Sequence, residues 1–261
     1  MSGFRPAWRD EILVAFAFLT RLPLRGLFGG MTAQDLLVPP SLASAAWAFP
    51  LVGLIVGVLG GIGYWIAAAL ALPTLAAALI AVATTVLVTG ALHEDGLADT
   101  ADGFGGGATP EEKLAIMRDS RSGAYGVLAL IFSIGLRAAA LTEISFRGEV
   151  LVALIAAHAF ARGLLPIALY RLDPARSDGL GAAAGKPESN IVLIAGAIGL
   201  IIAVLAIGLR AGLSAAIAAT VVAGVIGWLA QRQIGGQTGD VLGAIEQGAE
   251  TAALLAAAAW A

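Results

Sequence analysis

"LIAVATTVLVTGALHEDGLADTADGFGGG", residues 79–107, joins an apolar run to a cluster of carboxylates. Glu94, Asp95, Asp99 and Asp102 fall within nine positions directly after that run. About 20 apolar residues suffice to cross the hydrocarbon core of a bilayer, so the first half reads as the end of a membrane span. The stretch therefore predicts acidic groups held at the edge of a membrane.

The composition of the whole chain agrees with a membrane protein. Of the 261 residues, 59% are hydrophobic and 13% are charged, whereas a soluble domain carries about a quarter charged residues. The apolar residues form long blocks of roughly 18 or more, at about 44–70, 75–92, 124–146, 150–170, 191–209, 212–230 and 241–259. We predict an all-α polytopic integral membrane helical bundle, a single membrane domain over 1–261 with about seven transmembrane helices (six to eight).

Shorter features refine this prediction. Segment 11–20 is too short to span a bilayer, so we expect it to lie at the interface or to re-enter. Pro50 falls inside the first predicted span, and Gly53, Gly57 and Gly61 repeat there every four residues. The repeat suggests a close helix contact, although 34 glycines in the chain would explain it equally well. The absence of cysteine excludes disulfides and thiol chemistry.

The distribution of basic residues predicts the orientation. One side of the membrane receives only Arg147 and Arg210. The other side receives the remaining basic loop residues, namely Arg5, Arg9, Arg21, Arg25, Lys113, Arg118, Arg121, Arg171, Arg176, Lys186 and Arg232. By the positive-inside rule the second side is cytoplasmic. Every polar, motif-like loop then faces the cytoplasm.

Region 93–123 is predicted to be a cytoplasmic catalytic loop with a short interfacial helix. In "TPEEKLAIM", Thr109 is a suitable N-cap, Pro110 suits the first helical position and Glu112 completes a capping box. The apolar positions in this stretch suggest that the helix lies along the membrane surface.

The spacing of three aspartates points to a metal site. Asp95, Asp99 and Asp102 lie at i, i+4 and i+7, so they share one face if the helix of the second span continues through them. Like charges this close require compensation, and Mg²⁺ binds carboxylate oxygens together with substrate phosphates. We predict that these aspartates, with Asp119 as a fourth ligand, hold Mg²⁺ on a diphosphate. The alternative is a solvated acidic loop.

Further polar residues on the same side are predicted to bind substrate. A cation near the end of a span can grip phosphate, but Arg162 could instead snorkel to the interface. His93 is a candidate general base, with a structural role as the alternative. Glu250 lies deep in the last span and needs a partner, for which Arg137 is a candidate. The full predicted substrate-binding set is Ser120, Arg121, Arg162, Lys186, Gly236, Gln237, Thr238 and Asp240.

These residues favour chemistry on a nucleotide diphosphate. Phosphoryl transfer depends on positioning and charge neutralisation more than on a covalent nucleophile. The sequence contains no P-loop pattern, so ATP hydrolysis is not indicated.

The quoted motifs resemble a known family. "HEDGLADTADGFGGG" followed by "EEKLAIMRDSRSGAYGVLAL" is similar to the signature region of cobalamin synthase, the adenosylcobinamide-GDP ribazoletransferase family. The family's order is also matched by "FLTRLP" at 18–23, "FPLVGLIVG" at 49–57 and "GGQTGDVLGA" at 235–244. The resemblance covers nearly the whole chain.

The resemblance implies a late step of cobalamin biosynthesis. It implies an Mg²⁺-dependent enzyme that joins adenosylcobinamide-GDP to alpha-ribazole or its 5'-phosphate, gives adenosylcobalamin or its 5'-phosphate, and releases GMP. Arg121, Arg162 and Lys186 would stabilise phosphate charge, and an aspartate or His93 would accept the hydroxyl proton. The implied location is the inner membrane of a bacterium, with the active site facing the cytoplasm. The expected partners are these small molecules and the lipid bilayer, with no nucleic acid and a possible homo-oligomer.

Two alternatives belong to other classes of membrane protein. CDP-alcohol phosphotransferases share an Asp-rich, Mg²⁺-dependent site, but Asp99-Thr100 stand here where their motif has Ala-Arg. A cation transporter could place Asp95, Asp99 and Glu250 along an ion path. Transporters often contain repeated halves, and the sequence shows no such repeat.

Overall fold

The computed structural model describes residues 7–23, 41–144 and 147–260, and the predicted all-α class is confirmed there. The regular structure of these ranges is helical, apart from an isolated bridge between Pro174 and Gln237. Arg5 and Arg25, used above for the orientation, lie outside the described residues. The helices are α1 Ala7–Leu19, α2 Leu42–Ala45, α3 Phe49–Ala69, α4 Thr74–Thr89, α5 Leu92–Gly106, α6 Pro110–Ile116, α7 Ala124–Glu143, α8 Arg147–Arg171, α9 Leu180–Ala184, α10 Ser189–Ile207, α11 Leu209–Ile234 and α12 Gly239–Ala258.

The described residues contain five helical stretches that are long and apolar enough to cross a membrane. They are Leu42–Ala69, Ala124–Glu143, Gly148–Arg171, Ser189–Ile207 and Leu209–Ile234. A sixth span is possible if α4 and α5, bent by 93° at their junction, count together. The predicted number of about seven is higher because it included α12 as a span. That helix exists, but it carries Asp240, Glu246 and Glu250, which reduce its apolar character.

The bundle is built around α8, most of which is buried. Gly53, Gly57 and Gly61 of α3 lie directly against its backbone. A Cβ added at Gly57 would lie 2.7 Å from the Cα of Ile155, and one added at Gly61 would lie 3.0 Å from the Cα of Leu151. The close contact predicted from the glycine repeat is therefore confirmed.

The helix of the second predicted span does not continue through the aspartates. Helix α4 ends at Thr89, and both Gly90 (φ +67°) and Ala91 (φ +57°) have left-handed backbone conformations. Such residues terminate a helix, and α5 leaves at 93°. The condition under which the aspartates were expected to share a face, a continuous helix from the second span, is therefore not met. The three aspartates nevertheless keep their helical spacing, because all of them lie on α5 itself.

The short helix after α5 agrees with its prediction. The Thr109 hydroxyl accepts a hydrogen bond from the Glu112 N–H at 3.2 Å, and the Glu112 carboxylate accepts one from the Thr109 N–H at 3.4 Å. Both halves of the capping box are therefore present at the start of α6. Residues 92–106, expected as a loop, form a helix instead.

The N-terminal helix α1 is too short to cross a bilayer. Its 13 residues span about 20 Å at 1.5 Å per residue, against a hydrocarbon core of about 30 Å. It packs on α2, α3 and the 3₁₀ turn Ala46–Ala48, where the Trp47 indole N–H donates to Glu11 at 2.7 Å. Pro50 falls within the apolar helical stretch Leu42–Ala69, as predicted. It lies in the first turn of α3, where its missing N–H breaks no intrahelical bond.

Candidate active site

A close crossing of α5 and α12 brings together two motifs that are far apart in the sequence. A Cβ added at Gly96 would lie 2.7 Å from the Asp240 carbonyl oxygen, and one added at Gly243 would lie 3.0 Å from the His93 carbonyl oxygen. Only glycine leaves room for backbones at this separation. The crossing places Asp240, in the first turn of α12, beside the aspartates of α5.

The carboxylates at this crossing form one electrostatic cluster. Asp95 is exposed and Asp99 is half-buried. The charges that act most strongly on Asp99 are those of Asp95, Asp240 and Asp102, which repel it, and Arg176, which attracts it. Three of the four aspartates predicted as metal ligands, namely Asp95, Asp99 and Asp102, therefore lie near one another, and Asp240 joins them, whereas Asp119 is not among the charges that act most strongly on Asp99. We call Asp95, Asp99 and Asp240 the carboxylate cluster.

Asp102 makes structural contacts near the end of α5. Its buried carboxylate accepts hydrogen bonds from the N–H groups of Gly123 at 2.7 Å and Gly126 at 2.8 Å. These groups lie at the start of α7, where a helix lacks internal partners for its N–H groups. Asp102 thus caps α7 and ties it to α5. Its role as a metal ligand stays a prediction.

Arg176 links the carboxylate cluster to the loop that follows α8. Its Nη2 lies 3.5 Å from Asp240 Oδ2, and its Nε lies 3.8 Å from Asp178 Oδ1. Asp178 also accepts two hydrogen bonds from Arg118, at 2.8 and 3.0 Å. The hydrogen bond from Arg118 holds the pKa of Asp178 below its ordinary value. The polar segments after α6 and α8 and before α12 therefore meet at one end of the bundle.

Other predicted phosphate-binding residues have partners away from this cluster. Arg121 binds the Asp119 carboxylate at 2.6 Å, and this hydrogen bond lowers the pKa of Asp119 to about 2. Lys186 lies 3.4 Å from Asp173 and 5.6 Å from the centre of the Tyr170 ring. Ser120 is exposed beside Asp119. Their assignment to substrate stays a prediction.

The turn before α12 makes structural contacts. The Gln237 N–H donates to the Asp173 carbonyl at 2.9 Å, and the Gln237 carbonyl accepts from Ala175 at 2.8 Å. Thr238 caps α12 by accepting from the Val241 N–H at 3.2 Å. A side chain at Gly236 would collide with the Asp173 carbonyl. These residues hold the Arg176 loop against α12, and their predicted contact with substrate stays untested.

A second group of charged residues is buried within the bundle, and we call it the buried ionic cluster. Arg137 of α7 contacts Glu250 of α12 at 2.9 Å, as the sequence suggested, and it also contacts Glu94 of α5 at 3.2 Å. Because Glu94 precedes Asp95, this cation fixes the turn that carries the first aspartate. The members are His93, Glu94, Arg137, His158, Arg162, Glu246 and Glu250.

Arg162 is committed to this buried cluster. Its Nη1 lies 2.5 Å from Glu246 Oε1 and 3.0 Å from His158 Nδ1, and the residue is 1% exposed. The snorkelling alternative was therefore wrong. His158, Glu246 and Glu250 offer ligand atoms within 4.8 Å of one another, but the Arg162 guanidinium already supplies a positive charge to these carboxylates.

His93, a member of the buried ionic cluster, also lines an apolar cavity of about 40 Å³. Its Nδ1 is 3.5 Å from Glu246 and 3.4 Å from Arg162 Nη2. The side chain is buried, whereas Asp95 on the same helix is exposed. The cavity exceeds the space that one water needs, about 10–15 Å³. This placement favours a positioning role for His93.

Two residues of these clusters, Glu246 and Arg176, were not among the predicted site residues. Glu246 stands one helical turn before Glu250, so the same spacing rule that selected the aspartates of α5 could have found it. Arg176 served only as one of the basic residues that predict which side of the membrane is cytoplasmic. No local pattern around it signals that its loop folds back onto Asp240.

The fold and the site define a polytopic membrane protein with oxygen ligands and an arginine gathered at one end of its helices. This donor set suits a divalent cation and a phosphate. The cobalamin-5-phosphate synthase family matches residues 11–258. The chain belongs to that family, which places it in cobalamin biosynthesis.

Similar proteins cover almost the whole chain. An adenosylcobinamide-GDP ribazoletransferase from Bradyrhizobium diazoefficiens is 49% identical over 250 residues, which is 96% of this chain and 94% of the relative. Proteins of the same name from Mesorhizobium japonicum and Azorhizobium caulinodans are each 44% identical. They cover 95% and 94% of this chain, and 92% and 94% of their own lengths. No solved structure matches the chain.

Proposed function

We propose that this protein joins adenosylcobinamide-GDP to alpha-ribazole or its 5'-phosphate and releases GMP. The observation that carries the proposal is the meeting of Asp95 and Asp99 with Asp240 across the Gly96–Gly243 crossing. The names of the relatives and the family match support this choice of substrates.

The carboxylate cluster fits Mg²⁺. Three carboxylates lie near one another, one exposed and the others partly exposed, so substrate phosphate and water can complete the coordination that Mg²⁺ prefers. Asp95, Asp99 and Asp240 would hold the ion, and Asp102, three residues after Asp99 on α5, stays a predicted ligand. When bound, the ion would neutralise diphosphate charge and orient the phosphorus for attack.

The reaction exchanges one P–O bond for another. A ribose hydroxyl of alpha-ribazole forms a bond to the phosphorus attached to cobinamide, and the bond from that phosphorus to the bridging oxygen breaks, so GMP leaves with that oxygen. The proton of the hydroxyl passes to a carboxylate of the cluster. His93 is less suited as the base because Glu246 and Arg162 surround its Nδ1 inside the bundle.

The orientation of the site follows from the basic loops. Arg118, Arg176 and Lys186 all lie in segments at the end of the bundle that carries the carboxylate cluster. By the positive-inside rule this end faces the cytoplasm, where the nucleotide-activated substrate would be available. A corrinoid is large and partly apolar, which suits a site at a bilayer surface.

The test uses purified protein in detergent with adenosylcobinamide-GDP and alpha-ribazole 5'-phosphate. We expect a joined corrinoid and an equal amount of GMP, loss of both with EDTA, and recovery with excess Mg²⁺. Chromatography of the corrinoid and the nucleotide measures each product. An enzyme that forms product at full rate in EDTA would contradict the metal assignment, and one that forms no joined corrinoid under any condition would contradict the function.

Substitution of the cluster supplies the first mutational prediction. Asp95→Asn and Asp99→Asn should each lower GMP release at least about 100-fold, because an amide cannot replace the charge that holds the cation. Glu111→Gln, an exposed acidic residue in the first turn of α6, is the matched control and should keep the wild-type rate. Equal rates of GMP release in all three variants would show that the carboxylate cluster takes no part in the reaction.

A further inference from the structure

Arg176 differs from the other basic residues of the site in its surroundings. Arg121 is paired with the neighbouring Asp119, Arg162 with the buried Glu246, and Lys186 with Asp173. Arg176 instead reaches the carboxylate cluster itself, with its Nη2 3.5 Å from Asp240 Oδ2. It also attracts the charge of Asp99.

The guanidinium of Arg176 retains unused hydrogen-bonding capacity. Its Nη1 is buried and has no hydrogen-bond partner among the described residues. The contacts to Asp178 at 3.8 Å and Asp240 at 3.5 Å are long for charged pairs, since such hydrogen bonds are usually about 2.7–2.9 Å. A buried donor without a partner costs free energy. A ligand oxygen that accepts a hydrogen bond from Arg176 Nη1 would remove this cost.

The charge balance of the proposed complex favours a further positive charge, which the Arg176 guanidinium supplies. A diphosphate diester carries two negative charges, and the carboxylate cluster carries up to three, against two positive charges from one Mg²⁺. The planar guanidinium of Arg176, whose Nη1 has no partner among the described residues, matches phosphate oxygens better than any other side chain.

We propose that Arg176 binds a phosphate oxygen of the nucleotide diphosphate, beside the carboxylate cluster. This inference rests on the proposed function. It assigns to Arg176 the role that the sequence had predicted for Arg121, Arg162 and Lys186. Asp178 and Asp240 then act as positioning residues for the guanidinium.

The test compares Arg176→Gln with Arg118→Gln. Both arginines contact Asp178, so both variants weaken the same loop, but only Arg176 lies near the carboxylate cluster. Steady-state kinetics give KM for adenosylcobinamide-GDP, KM for ribazole phosphate and kcat. Inhibition by GDP with Mg²⁺ gives a second readout that depends on binding alone.

We expect Arg176→Gln to raise KM for adenosylcobinamide-GDP and the inhibition constant of GDP by about 10- to 100-fold. KM for ribazole phosphate should change less than about twofold, and Arg118→Gln, which weakens only the support of the loop, should change every constant far less than Arg176→Gln does. Equal effects of the two variants, or an effect on ribazole phosphate alone, would overturn the assignment.

A conservative variant keeps the proposal testable if Arg176→Gln does not fold. Arg176→Lys preserves the charge but loses the planar fork, so we expect a smaller rise of about fivefold or more in the GDP inhibition constant. An unchanged constant in Arg176→Lys, in a protein with wild-type thermal stability, contradicts the inference. If the wild type bound GDP through Arg176 but formed no corrinoid product, the proposed reaction would fail while the assignment of Arg176 would stand.

Discussion

Asp102 connects two helices of the site through its carboxylate. Both of its oxygens accept N–H groups from the start of α7, and the residue is buried. A carboxylate at the start of a helix also interacts favourably with the helix dipole. The side chain therefore determines where α7 begins relative to α5, whatever it contributes to cation binding.

This capping role predicts a change in stability. Asp102→Ala should lower the free energy of unfolding by about 0.5–2 kcal/mol, because two N–H groups at the start of α7 lose their acceptor. Thermal unfolding in detergent measures the loss. A variant with wild-type thermal stability and a weakened response to Mg²⁺ would show that Asp102 acts as a ligand and not as a cap.

At the scale of helices, the contact between α5 and α12 decides whether the carboxylates meet. Gly96 and Gly243 permit a separation that any larger side chain would prevent. Because Asp240 approaches Asp95 and Asp99 only through this contact, the geometry of the cluster depends on residues that have no chemistry of their own.

Gly96→Ala should therefore reduce activity without removing a functional group. The added Cβ would lie 2.7 Å from the Asp240 carbonyl oxygen, so the helices must separate, and we expect at least about a tenfold fall in the rate of GMP release. Gly196→Ala in α10 is the matched control, since nothing lies within 4 Å of its added Cβ. A wild-type rate in Gly96→Ala would mean that the helices tolerate a wider spacing.

The buried ionic cluster joins four helices, α5, α7, α8 and α12. Arg137 joins Glu94 of α5 to Glu250 of α12, and Arg162 of α8 joins Glu246. A buried ion pair contributes little to stability compared with apolar packing, but removal of one partner leaves an uncompensated charge. The cluster thus favours a single arrangement of α5, α7, α8 and α12.

Arg137→Met tests this arrangement. The substitution leaves Glu94 and Glu250 without their shared cation, and we expect a loss of about 3–5 kcal/mol in the free energy of unfolding. Arg210→Met replaces an exposed arginine of α11 and should have little effect. Denaturant titration in detergent compares the two, and equal stability of both variants would contradict a structural role for the cluster.

For the whole molecule, the polar segments converge at one end of the helices. The segment before α7 contacts the loop after α8 through Arg118 and Asp178, and that loop contacts α12 through Arg176 and Asp240. The opposite end is formed by short connections such as that between α10 and α11. The proposed site therefore requires access from one side of the membrane only.

A labelling experiment tests the proposed orientation. The chain contains no cysteine, so Glu111→Cys and Arg210→Cys each introduce a unique thiol at opposite ends of the bundle. In intact cells an impermeant maleimide should label Arg210→Cys, whereas Glu111→Cys should react only after lysis. The reverse pattern would place the carboxylate cluster outside the cytoplasm.

The sequence by itself determined the all-α membrane class, the capping box at Thr109 and the family, and it suggested the glycine contact of α3. Each depends on neighbouring residues or on one helix, because apolar length, helical spacing and caps are local properties. The acidic motif and its aspartates were found in the same way. The pairing of Arg137 with Glu250 was suggested because a lone carboxylate within a span needs a counter-charge.

Only the tertiary structure decided which charged groups share a site. The 93° bend at Gly90 and Ala91 turned α5 away from the second span, and the crossing at Gly96 and Gly243 brought Asp240 to it. The same packing enclosed Arg162 in the bundle and left Arg176 beside the carboxylates. These outcomes depend on contacts between helices distant in the sequence, and the spacing of residues along one segment contains no information about them.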